Sequence, residues 1–114
     1  MKQIIETKSI SDIKYHQMLN LLVIEGYLFR MTELDSKCIE LIGDYIHNME
    51  KLTVCIKADM IDMVSYKALE KLVIYLNSLK GLKKGVCVKW VSVPESMSLG
   101  KQLQKKADYS FIIN

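Results

Sequence analysis

The chain of 114 residues is half apolar and a quarter charged, enough for one closed hydrophobic core and one domain spanning 1–114. Its 16 basic and 13 acidic side chains leave a net charge of +3, too weak a balance to argue for a nucleic-acid partner. The opening "MKQIIETKSI" lacks the apolar run of a signal peptide, and "MLNLLVI" is broken by Asn20 and too short to cross a bilayer, so a cytoplasmic protein without a membrane segment is expected.

In chain order, "KQIIETKSI" predicts a first strand, and the stretch around Tyr15 and His16 a connection with room for a short strand of its own. "LNLLVIEGYLF" (19–29) is dense in aliphatic and aromatic residues and predicts a strand, with Gly26 marking a bend or bulge near its end. Thr32 opens a helix, since "TELD" has the form of a capping box with Asp35 in the acidic position. Leu34, Cys38, Ile42, Tyr45, Ile46 and Met49 then recur at helical spacing, while Glu33, Lys37, Glu40, Asp44 and His47 fall on the opposite side.

"LTVCIKA" (52–58) alternates Leu52, Val54 and Ile56 against Thr53, Cys55 and Lys57, the period of a strand. A second helix follows, buried along Leu69, Leu72, Val73, Leu76 and Leu79 and stopped at Gly81. "VCVKWVSV" (86–93) predicts a β-branched strand ended by Pro94, "ESMSLGKQLQKKA" a weaker third helix containing Gly100, and "YSFII" a short closing strand or extended tail. Strand, helix and strand at this spacing form a βαβ unit, so the strands joined this way run parallel. The expected fold class is therefore α/β: a mixed sheet with about three helices, in the order β-β-α-β-α-β-α and a final short strand.

Motifs for chemistry are sparse. Cys38, Cys55 and Cys87 are odd in number, widely spaced and without a C-x-x-C, which points to buried free thiols and to neither a disulfide framework nor a metal site. His16 and His47 have no partner at ligand spacing, and no phosphate-cradling glycine loop occurs, so no cofactor is expected. Asp59 and Asp62 flank a strand end where an acid/base pair could act, but a helix cap accounts for Asp62 more simply, and no catalytic residue is assigned. Lys80, Lys83 and Lys84 at a turn, and Lys101 and Lys105 on a helix face, have the pattern of solvated surface. Met60, Ile61, Met63, Val64 and Met97 gather flexible apolar side chains near a strand-to-helix corner; core packing is the ordinary reading and a contact surface the sharper one.

The order of elements resembles STAS domains, the fold of anti-sigma-factor antagonists, and the chain as a whole is similar to the SiaC-family regulatory phosphoproteins, small bacterial proteins with a STAS-like fold. The resemblance is carried by "SDIKYHQMLNLLVIEGYLF" with its Ile-x-Gly step at Ile24, Glu25 and Gly26, by "VKW" at 88–90, and by "ESMSLGKQL" followed by "YSF". The family's regulatory junction, Asn-Thr-Ser-Ser-x-Lys, aligns with "DMVSYK": Asp62 stands at the Asn, Met63 at the phosphorylated Thr, Val64 and Ser65 at the two Ser and Lys67 at the Lys. The family's Gly-x-Ser-Tyr-Pro-Glu-Asn pattern is degraded, with Leu28, Phe29, Arg30, Met31 and Thr32 in its last five places.

The resemblance implies a non-enzymatic signalling protein that works by protein–protein binding in a partner-switching pathway. In that family a GHKL-type kinase and a phosphatase set the phosphorylation state, and the unphosphorylated form binds and activates a diguanylate cyclase. Asp62, Met63, Val64, Ser65 and Lys67 are then the expected partner-binding surface, with the acceptor hydroxyl missing at Met63 and Ser65 as the nearest candidate phosphoacceptor. A phosphate at a helix amino terminus would meet unpaired N–H groups and the positive dipole end. The alternative reading is a STAS-type antagonist that binds an anti-sigma factor or another GHKL-type kinase. A small enzyme using Asp59 or Asp62, and an assembly subunit packed permanently through the corner, are the remaining readings.

Overall fold

The structure, a computed structural model, describes residues 7–10, 13–91 and 94–114. The strands are β1 (Thr7–Ile10), β2 (Ile13–His16), β3 (Leu21–Leu28), β4 (Lys51–Ile61), β5 (Gly85–Trp90) and β6 (Ser110–Ile113), and the helices α1 (Leu34–Tyr45), α2 (Met63–Leu76), α3 (Ser78–Gly81) and α4 (Met97–Gln104). They build one six-stranded sheet whose spatial order follows the chain, β1 to β6. β1, β2 and β3 pair antiparallel, and β3 to β6 pair parallel. Each parallel connection steps the same way across the sheet, so right-handed crossovers place all the helices on one face.

The side chains follow that geometry. Ile13, Tyr15, Leu22, Ile24, Leu52, Val54, Ile56, Val88 and Trp90 are buried in one cluster with Leu34, Cys38 and Ile42 of α1 and Leu69, Leu72 and Val73 of α2. The alternation expected for "LTVCIKA" is present, with Leu52, Val54 and Ile56 closed off and Lys57 exposed. Leu79 of α3 continues the buried stripe past Asn77, whose amide donates to the Lys106 carbonyl at 3.0 Å and accepts from the Asp108 N–H at 2.7 Å. Asn77 thereby ties the end of α2 to the turn before β6. Cys38, Cys55 and Cys87 are buried free thiols, and burial pushes the Cys38 thiol up to about 12.

The fold class, the mixed sheet and three principal helices match the sequence reading; α3 adds a single further turn. One open expectation is decided in favour of the short strand, and two are corrected. The stretch around Tyr15 and His16 is a strand: Ile13 and Tyr15 enter the core, Tyr15 stacks on Tyr45 with ring centroids 4.7 Å apart, and a short 3-10 turn ending at left-handed Asn20 makes the connection instead. The "TELD" capping box does not form. α1 starts two residues later, at Leu34, and Glu33 before it makes no side-chain cap. β4 runs on to Ile61, so Asp59 lies within the strand rather than beyond its end. Asp59 is the extra residue of a bulge: the register slips between Gly26, where φ is 101°, and Tyr27, so that Gly26 faces Ala58, Tyr27 faces Met60 and Leu28 faces Ile61. Residues 2–6 of the first predicted strand, and Ser92 and Val93 of the predicted strand at 86–93, lie outside the described residues.

Candidate functional site: an apolar corner clamped at the start of α2

β4 passes into α2 through Asp62, whose backbone is extended and whose side chain caps the helix. One carboxylate oxygen, Oδ1, accepts from the Ser65 N–H at 2.9 Å, and the other, Oδ2, accepts from the Arg30 N–H at 2.8 Å. The Asp62 N–H donates to the Leu28 carbonyl at 3.1 Å, continuing the β3–β4 ladder by one step. The Ser65 hydroxyl oxygen accepts from the Met31 N–H at 3.0 Å. Hydrogen bonding from Ser65, side chain first and then backbone, together with the Arg30 N–H, holds the Asp62 carboxyl below the usual carboxylate range.

Around this clamp several large apolar side chains are exposed. Met63 is 60% exposed and Val64 43%, and Met60, Tyr27 and Phe29 stand out to solvent from the adjoining strand ends. Tyr27 and Met60 are register partners on β3 and β4, and the Arg30 guanidinium lies 5.6 Å from the centre of the Phe29 ring. Lys67 is exposed one turn into α2 and lines a shallow depression with Thr32, Val64, Ala68 and Lys71. Core packing, the ordinary expectation for Met60, Met63 and Val64, is therefore corrected; only Ile61 and Met97 are half-buried. Several large apolar side chains exposed together mark a contact surface better than the same residues scattered singly.

The residues expected at the site do not all have the same standing in space. Asp62, Met63, Val64 and Lys67 reach the surface, whereas Ser65 is fully buried with its hydroxyl bonded to Met31. A kinase needs an accessible hydroxyl, and the Ser65 hydroxyl, the nearest one to Met63 in the expected site, is enclosed in this geometry. Asp59 and Asp62 do not form a pair: Asp59 borders a shallow depression with Met60, Ile61, Glu95, Ser96 and Leu99, and both oxygens of Asp62 are taken by backbone amides. Among the described residues no three His, Cys, Asp or Glu side chains gather as metal ligands, and no helix is long and apolar enough to cross a membrane. Of the lysines at the 80–84 turn, Lys80 pairs with Asp108 at 3.2 Å and Lys84 donates to the Met49 carbonyl at 2.7 Å. Tyr27 and Phe29 are not among the predicted site residues; the signal available for them is two aromatics within three residues of Gly26, at the carboxyl end of a parallel strand.

Taken by class, the molecule is an α/β scaffold with its helices on one face and a solvent-exposed apolar corner at the carboxyl ends of two parallel strands. No protein-family model and no curated protein matches the chain in sequence. Its structure matches two solved structures from Pseudomonas aeruginosa. One is apo-SiaC, with a TM-score of 0.80 at 15% identity over 96% of this chain and 99% of that one. The other is a second structure of SiaC, with a TM-score of 0.76 at 16% identity over 90% of this chain and 87% of that one. The chain has the fold of SiaC.

Proposed function

We propose that the chain is a SiaC-type regulatory protein without enzymatic activity, which binds a signalling protein through the corner formed by Asp62, Met63, Val64, Lys67 and the neighbouring Met60, Tyr27 and Phe29. The observation that carries this reading is the exposure of that corner on a scaffold matching apo-SiaC over nearly its whole length. Following the resemblance in sequence, the partner is a diguanylate cyclase in a partner-switching pathway whose other members are a GHKL-type kinase and a phosphatase. Met63 cannot accept a phosphoryl group and the Ser65 hydroxyl is enclosed, so binding here is constitutive with respect to phosphorylation at these two positions.

The test is cellular cyclic di-GMP, measured in the host with the gene intact, deleted, or carrying Val64→Asp. Deletion and Val64→Asp are expected to lower it alike. An unchanged level after deletion would refute cyclase control and favour the anti-sigma-factor reading, which predicts no effect on cyclic di-GMP.

A further inference from the structure

We propose that Asp62 is a positioning residue for the binding face: its carboxylate, with the Ser65 hydroxyl, holds the backbone of Arg30 and Met31 and thereby fixes where the exposed Phe29, the residue before them, emerges. This rests on the reading of the corner as a binding surface. A helix cap needs one side-chain oxygen, and Asp62 already caps α2 through the Ser65 N–H at 2.9 Å. Its second oxygen reaches the Arg30 N–H at 2.8 Å, in a loop 32 residues earlier in the chain. Serine, threonine or asparagine at this position could supply the first bond and not both.

The loop needs such a hold. Arg30 has φ of 53°, the left-handed region that a residue with a Cβ enters only at a cost, and it is exposed, so core packing does not impose that conformation. Three hydrogen bonds tie the segment to the start of α2: Asp62 N–H to the Leu28 carbonyl, Arg30 N–H to the Asp62 carboxylate and Met31 N–H to the Ser65 hydroxyl. Two of the three use side chains of the α2 turn, and Phe29 lies between the anchored residues Leu28 and Arg30. The charge of Asp62 is consequently spent on backbone amides within the chain. The Arg30, Met31 and Ser65 amides, all satisfied internally, are not open to an incoming anion.

The test is residue-resolved amide exchange on the free protein, comparing wild type with Asp62→Asn and Asp62→Ser. Both substitutions keep a side-chain oxygen for the cap and remove the second acceptor. Exchange at Arg30 is expected to speed up on the order of tenfold or more, the loss of a hydrogen bond to a charged acceptor, with Met31 following. The Ser65 and Tyr66 amides should keep their protection. Unchanged protection at Arg30 would overturn the proposal, and so would equal loss at Ser65 and Tyr66, which would make Asp62 a helix cap and nothing more. Because no partner is needed, this result stands apart from the binding reading, which falls separately if the wild-type protein retains no diguanylate cyclase.

Discussion

Gly100 is in the interior of α4, where alanine would favour the helix by about 1 kcal/mol. A Cβ there would stand 2.6 Å from Cδ1 of Trp90, a fully buried ring that cannot swing aside. Overpacking of this kind costs about 1–3 kcal/mol, so the clash outweighs the propensity gain. Gly100→Ala is expected to lower the urea midpoint without changing the slope of the transition. The Asp62 carboxyl makes a prediction of its own. Its pKa in the folded state is held below the unfolded value of 3.8, so its contribution to stability is present above that pH and disappears as the pH falls through the lower folded value. The difference in urea midpoint between wild type and Asp62→Ser should stay constant from about pH 7 to pH 5 and close at more acidic pH. A difference that grew on acidification would reverse the sign of the interaction.

Among the elements, α2 does two jobs with two faces. Its inner stripe of Leu69, Leu72, Val73 and Leu76 closes the core, and its first turn presents Met63 and Val64 to solvent. Cutting the inner stripe, for example Leu69→Ala, should cost about 2–5 kcal/mol. Val64→Asp should change stability by no more than about 0.5 kcal/mol, because the side chain is partly exposed and a carboxylate suits the helix amino terminus. Thermal melts of the two variants check this division of roles. The strand and helix periods were legible at this scale: the stripe of α2, the alternation in β4 and the bulge at Gly26 follow from residue type and spacing. β2 was harder to read, since four residues carry too few alternations to stand out from a connection. The start of α1 is not legible in the sequence, because Thr32 has the chemistry of a cap while the position of the chain there is set by contacts from Asp62 and Ser65, more than thirty residues away.

Across the whole molecule, the helices gather on one face and the exposed apolar corner lies at the carboxyl ends of the parallel strands β3 and β4. Loops at that end of a parallel sheet are free to vary while the sheet holds them in place, which is why function collects there. The corner itself was only partly readable from the sequence. Residue type identified Met60, Met63 and Val64 as an unusual cluster, but apolar side chains next to a core look the same in sequence whether they turn inward or outward. The slip at Gly26 and the clamp at Asp62 decide the direction, and both depend on pairing between distant segments.

The central claim is that this apolar corner is a protein-binding surface. It is tested most directly by affinity isolation from the native host of tagged wild-type protein and of the Val64→Asp variant, with the retained proteins identified by mass spectrometry. The account predicts a diguanylate cyclase retained by wild type and lost by the folded variant. Absence of the cyclase, or its equal retention by both proteins, would contradict it.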